Sequence, residues 1–210
     1  DVNLCYSEHA RRYLNAAGIP KERTFVVGSP MAEVLHQNLP QIEASDIHAR
    51  LSLEKGKYIL LSAHREENID TEENFRSLFT AVNAMAEQYG MPVLYSCHPR
   101  SRKRLEESSF RLDNRVIAHK PLGFHDYYCL QMNAFCVVSD SGTLPEESSF
   151  YLSVGKPFPA VCIRTSTERP EALDKGCFVL SGIHTEQLLQ SIDLAVQMQQ
   201  NGEFGTPVPD

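Results

Sequence analysis

The 210 residues contain no tryptophan, no CxxC pair, no HxH or HxxxH spacing and no apolar run long enough to cross a bilayer. Each absence removes a class of protein. The six cysteines (Cys5, Cys97, Cys129, Cys136, Cys162 and Cys177) are scattered, so a zinc ribbon or thiol redox motif is excluded. They read as buried reduced thiols of a cytoplasmic protein. No histidine spacing suggests a metal centre. The Walker loop and the GxGxxG fingerprint are missing, which argues against a P-loop NTPase and a dinucleotide enzyme of the usual kind. Without a GxSxG elbow, Ser141 is a poor hydrolase nucleophile. Basic runs are lacking and the net charge is -7, so no nucleic-acid partner and no membrane partner are expected.

What remains is a hydrophobic content of 42%, enough for a sizeable core and one or two domains. The chain opens on Asp1 and closes on a turn-rich GTPVPD, which leads to the expectation of a piece of a longer protein. Apolar runs alternate with amphipathic stretches. Strands are expected near 2–6, 24–27, 58–62, 92–96, 115–118, 135–138, 158–163 and 178–180. Helices are expected over 7–17, 29–39, 45–53, 71–88, 124–132 and 185–199, with a basic helix after Cys97 and another opening at Thr143. Over 71–88, Phe75, Leu78, Phe79, Val82 and Met85 recur at helical spacing. The alternation predicts an α/β doubly wound, mostly parallel sheet of Rossmann-like type. Residues 1–40 read as the end of a preceding domain or hinge with the first βα units, 41–200 as the principal domain and 201–210 as a cut tail.

Ligands of open α/β sheets sit outside the carboxyl ends of the strands. Four strands here end in polar clusters: SAHREEN, CHPR, SDSGT and IRTSTERP. The most organised is FCVVSDSGTLPEESS, a strand, a Gly turn and a helix start. Thr143 is the candidate N-cap, Pro145 suits the first turn and Glu146 closes a capping box. Free amides and the positive end of the helix dipole suit an anion. A nucleoside diphosphate fits, with phosphates on the amides of Ser141, Gly142 and Thr143 and a ribose diol on Glu147. A well-capped helix explains the same residues.

His64, directly after a strand, suits a general acid/base or a phosphate-facing donor. Arg65 reads as fixing that loop through a salt bridge with Glu66. His98 and Arg100 reach toward a phosphate in one reading; in the other, Pro99 simply opens a helix. Arg169 offers a planar fork to a pyrophosphate, or a surface pair with Glu168. Tyr127 suits stacking on a uracil ring, or a core position on its helix. The backbone around Leu122, in PLGF, suits the base edge.

Taken together, SAHREEN, the following HP, KPLGFHDY, SDSGTLPEESS, GKP and RTSTERPEALDKG resemble the non-hydrolysing UDP-N-acetylglucosamine 2-epimerases, in order and over nearly the whole chain. The wording of SGT and TSTERPE is most similar to the branch acting on UDP-N-acetyl-fucosamine-type sugars in capsule or O-antigen synthesis. The resemblance implies the C-terminal, UDP-binding half of a two-domain GT-B-type fold, with the N-terminal domain outside this chain. It places the catalytic histidine on His64, the UDP contacts on Ser141, Gly142, Thr143, Glu147, Arg169 and Tyr127, and carboxylates acting at C2 in the other domain. It implies elimination of UDP to a 2-acetamidoglycal and re-addition with inversion at C2, a UDP-N-acetylhexosamine substrate, a homodimer at full length and no metal or other cofactor. The chain alone is then expected to fold but not to turn over. Thr143 departs from the family's SGG, and SSFYLSVGKP is longer than the usual connection. Two alternatives are the nucleotide half of a GT-B glycosyltransferase and a non-catalytic sugar-nucleotide sensor.

Overall fold

The computed structural model describes residues 1–97, 99–164, 172–173, 175–203 and 205. The first unit is small: β1 (Asn3–Cys5), α1 (Glu8–Ala16) and β2 (Thr24–Val26), the two strands parallel. Ser7 caps α1 as its sequence suggests, accepting from the Ala10 amide at 3.3 Å. This unit packs on itself, yet Leu4 and Val27 are 63% and 57% exposed, and Phe25 and Val26 lie open beside them. Strands so apolar belong to a sheet covered on its faces.

The remainder runs α2 (Pro30–Glu43), α3 (Ile47–Leu51), β3 (Ile59–Ser62), α4 (Glu66–Ile69), α5 (Glu72–Tyr89), β4 (Val93–Ser96), α6 (Pro99–Glu107), β5 (Val116–His119), α7 (Phe124–Met132), β6 (Cys136–Ser139), α8 (Leu144–Ser153), β7 (Ala160–Ile163), β8 (Val179–Ser181) and α9 (Thr185–Gln200). Strands β3 to β8 form one parallel sheet in the order β5-β4-β3-β6-β7-β8. The chain builds outward from β3 to β5, returns to the centre, and builds the other way from β6. The order therefore reverses between β3 and β6, whose residues pair from Ile59 with Cys136 to Ser62 with Ser139.

The period of two in a strand sorts its side chains onto opposite faces. Ile59 and Leu61 point to one side with Tyr95, Val138 and Ile163, under Phe75, Phe79 and Val82 of α5 and Leu188 and Ile192 of α9. Leu60 points to the other side with Leu94, Val137 and Cys162, under α2, α3, α7 and α8. Both faces are covered, which is why these strands read as continuous apolar runs. Helix α5 is capped at both ends: Thr71 accepts from the Asn74 amide at 3.1 Å, and Gly90 closes it in the left-handed region at φ 61°.

Two helix expectations change. Helix α2 does not stop before Pro40 but runs through it to Glu43. Proline removes one amide and crowds the carbonyl four residues back. Burial of Leu35 and Ile42 under the sheet, each worth about 1.5–3 kcal/mol, holds the helix together across that defect. These contacts place α2 with the large sheet. The helix expected over 45–53 is only Ile47–Leu51, because Ser52 adopts φ 53° and ends it. All six cysteines are free, five of them buried. No helix among the described residues is long and apolar enough to cross a membrane.

Candidate functional site

The loops after β3 and β6 meet where the strand order reverses. Between them lies an open cleft of about 510 Å³ lined by Ser62, His64, Arg65, Tyr127, Tyr128, Asp140, Ser141, Gly142, Thr143 and Glu147. That volume lies within the range of small-molecule sites. Seven of the residues singled out by sequence line this one cleft: His64, Arg65, Tyr127, Ser141, Gly142, Thr143 and Glu147. His64 is exposed at the rim, where a ligand can reach its ring.

Several expected contacts take a different form. Thr143 occupies the N-cap position of α8, but its side chain makes no cap hydrogen bond. Its hydroxyl instead donates to Glu147 Oε1 at 2.6 Å. Ser141 fills the capping role, its Oγ accepting from the Thr143 amide at 3.3 Å, and Ser139 Oγ accepts from the Ser141 amide at 3.0 Å. Because the single Thr143 proton is committed to Glu147, the 2.8 Å contact between the two hydroxyls has Ser141 as donor. The loop is thus a relay from Ser141 to Thr143 to Glu147. The capping box fails because a buried carboxylate is the stronger acceptor.

Glu147 is 3% exposed. Besides Thr143, it accepts from the Tyr128 hydroxyl at 2.9 Å and from Gln131 Nε2 at 2.6 Å. Burial pushes its carboxyl above the usual range; the three donors pull the other way without cancelling that shift. A carboxylate offers about four acceptor positions, and three are filled from within the fold. A diol can bind here only by displacing one internal donor, and Thr143, at the rim, is the one in reach of solvent.

Arg65 fixes its loop through Asp140, and the side chain of its expected partner Glu66 lies outside the described residues. Its amide donates to Asp140 Oδ2 at 2.8 Å and its Nε to the Asp140 carbonyl at 3.0 Å. Tyr127 is half-buried with its phenol beside Ser62 and Ser139, and burial pushes it up. It packs against the core, one of its two expected readings, and it also lines the cleft. Leu122 packs against the core on the α7 side and does not line the cleft. Arg100 lies in α6, and its side chain lies outside the described residues. So do His98 and Arg169 altogether.

Reading the sequence missed Tyr128, Gln131 and Asp140. Gln131 lies three residues after Tyr128 on one face of α7, but its complete burial shows only in the fold. Asp140 stood inside a quoted motif without a task of its own.

A parallel sheet in this order, with a polar cleft at its reversal point and a strand–turn–helix loop beside it, is an α/β unit of Rossmann type, with the cleft where such sheets take their ligands. The sequence profile of the UDP-N-acetylglucosamine 2-epimerase family matches residues 1–206. The chain belongs to that family. A curated relative from Methanocaldococcus jannaschii, a UDP-N-acetylglucosamine 2-epimerase, is 30% identical over 96% of this chain and 58% of its own length. The structure of UDP-N-acetylglucosamine 2-epimerase from Rickettsia bellii superposes with a TM-score of 0.82 at 39% identity, covering 94% of this chain and 51% of that one. The Methanocaldococcus jannaschii enzyme in complex with UDP-GlcNAc and UDP superposes with a TM-score of 0.86 at 27% identity, covering 100% and 57%. The chain therefore spans about half the length of the proteins it matches.

Proposed function

We propose that this chain is the UDP-binding half of a UDP-N-acetylhexosamine 2-epimerase. The observation that carries the reading is the single cleft at the sheet's reversal point, which gathers His64, Ser141, Gly142, Thr143 and Glu147 from loops far apart in sequence. The diphosphate lies over the Ser141–Thr143 turn at the N-terminus of α8, where amides and helix dipole suit negative charge. The ribose hydroxyls bind Glu147, replacing the Thr143 hydroxyl, which is then released toward the phosphates. Tyr127 and the backbone near Leu122 face the uracil.

The chemistry follows from charge. UDP leaves C1 only if its developing negative charge is stabilised, and prepositioned donors lower that barrier. His64, at the rim, donates to the departing phosphate, and Arg169 serves the same charge. Elimination forms the C1–C2 double bond as the C2 proton goes to a base; re-addition returns UDP to C1 and a proton to the opposite face of C2. No residue of this cleft is assigned the C2 proton. That work falls to carboxylates of a second domain seated on the apolar β1–β2 face, and a dimeric, cytoplasmic enzyme of surface-polysaccharide synthesis is the setting we favour. The 6-deoxy, fucosamine-type series is the favoured substrate branch. No step as written calls for a cofactor.

The test is to supply UDP-N-acetylhexosamine and follow the C2 proton by NMR in deuterated water. The complete protein is expected to exchange and epimerise C2; the chain alone is expected to bind UDP without turnover. Turnover by the isolated chain at the complete protein's rate contradicts the division of labour.

A further inference from the structure

Asp140 stands one residue beyond β6 and is 2% exposed. Its Oδ2 accepts three hydrogen bonds from elsewhere in the chain: the His64 amide at 2.9 Å, the Arg65 amide at 2.8 Å and Asn68 Nδ2 at 3.1 Å. Its own amide donates to the Ser62 carbonyl at 3.0 Å, and its carbonyl accepts from Arg65 Nε at 3.0 Å. Asn68 reaches further, donating also to the Ile163 carbonyl at the end of β7 at 3.3 Å. One buried carboxylate therefore ties together the ends of three strands, β3, β6 and β7.

The partners are not those of a carboxylate that merely satisfies its own turn. Asp140 is the residue before Ser141, so its position sets the anion loop, and two of its donors are the amides that carry His64 and Arg65. Moving either loop breaks the shared acceptor. We propose that Asp140 is the positioning residue of the site: it holds the His64 backbone at a fixed place relative to the Ser141–Thr143 turn, so that both meet one diphosphate. The inference rests on the proposed UDP site for its consequence, but the clamp itself is a property of the free chain. Hydrogen bonds to an ionised acceptor are about twice as strong as neutral ones, and loss of placement near 1 Å is worth about 100-fold in rate. Asp140→Ala removes all three bonds to the side chain; Asp140→Asn keeps one oxygen to accept them.

The experiment has two arms on the same chain. Without ligand, amide hydrogen exchange is measured for wild type, Asp140→Ala and Asp140→Asn. The His64 and Arg65 amides are expected to lose at least tenfold protection in the alanine variant, with partial recovery in the asparagine variant, while Leu60 and Leu61 in β3 keep theirs. With UDP, the His64 ring resonances are followed: their UDP-induced shift is expected to collapse in Asp140→Ala while the Gly142 amide still responds. Unchanged protection at His64 and Arg65, or equal loss throughout β3, overturns the clamp. An unchanged His64 response to UDP overturns its positioning role. If wild type itself fails to respond to UDP, the proposed function falls while the exchange arm still decides the clamp. If alanine leaves the chain unfolded, the asparagine variant carries both arms: reduced protection confined to 64 and 65 supports the proposal, and wild-type protection there refutes it.

Discussion

Replacing Glu147 by glutamine separates what this residue does for the fold from what it does for a ligand. The carboxylate is buried among three donors, and burial outweighs them, since its pKa moves up. Glutamine keeps the shape and removes the charge. Three bonds to a charged acceptor weaken by about 1 kcal/mol each, while the penalty of several kcal/mol for a buried ion disappears. The Gln131 carbonyl, buried and without a hydrogen bond, can turn to accept from the new amide. We expect the melting temperature of Glu147→Gln at neutral pH to equal or exceed that of wild type, by about 2–4 °C for each kcal/mol gained. UDP binding should move the other way. Two ribose hydroxyls donating to a carboxylate are worth about 1.5–3 kcal/mol each, and about half that to a neutral amide. The loss is about 1.5–3 kcal/mol, or roughly 10- to 100-fold in Kd. Calorimetry with UDP and 2′-deoxy-UDP on both proteins closes a double-mutant cycle. Wild type should prefer the ribonucleotide, and the variant's preference, in free energy, should shrink by about half. A UDP affinity changed less than twofold, or a melting temperature lowered by more than about 5 °C, refutes the reasoning.

Other expectations follow from the same contacts. Because the folded pKa of Glu147 is raised above 4.5, its stabilising contribution is fully present below that value and is lost as pH rises through the shifted pKa; Glu147→Gln should remove this segment from a stability–pH curve. UDP affinity of wild type should fall toward that of the variant as acid protonates the carboxylate. His48 behaves oppositely: burial lowers its pKa from 6.5, so its contribution is present above 6.5 and lost as pH falls through the lowered value, a loss that His48→Gln should remove. In the complete protein, His64→Ala should lower kcat by about 100- to 10,000-fold, the usual worth of a positioned acid or base, and raise the Kd for UDP less than tenfold. The apolar β1–β2 face should make the isolated chain self-associate at high concentration; Leu4→Ser with Phe25→Ser should return it to a monomer by sedimentation without changing unfolding of the large sheet.

Local chemistry made much of this architecture legible. The Ser7 cap and the apolar stripe of α5 act within a few residues, and both sit where their spacing puts them. The cleft was legible because parallel strands must deliver their polar ends to one edge, so SAHREEN and SDSGT had to meet. What escaped was decided across the fold. Pro40 remains helical because Leu35 and Ile42 are buried by distant strands. Thr143 forsakes its amides because Glu147 is buried, and Glu147 is held by Tyr128 and Gln131, 19 and 16 residues upstream. Asp140 acts on partners 72 to 76 residues away. No local pattern encodes these.

The most direct measurement maps UDP onto the chain by amide and histidine-ring NMR shifts. The account predicts saturable changes confined to 62–65, 139–147, the stretch from Leu122 through Tyr127 and its neighbours on α7, and Arg169. Saturable changes centred elsewhere, or none at millimolar UDP, contradict it.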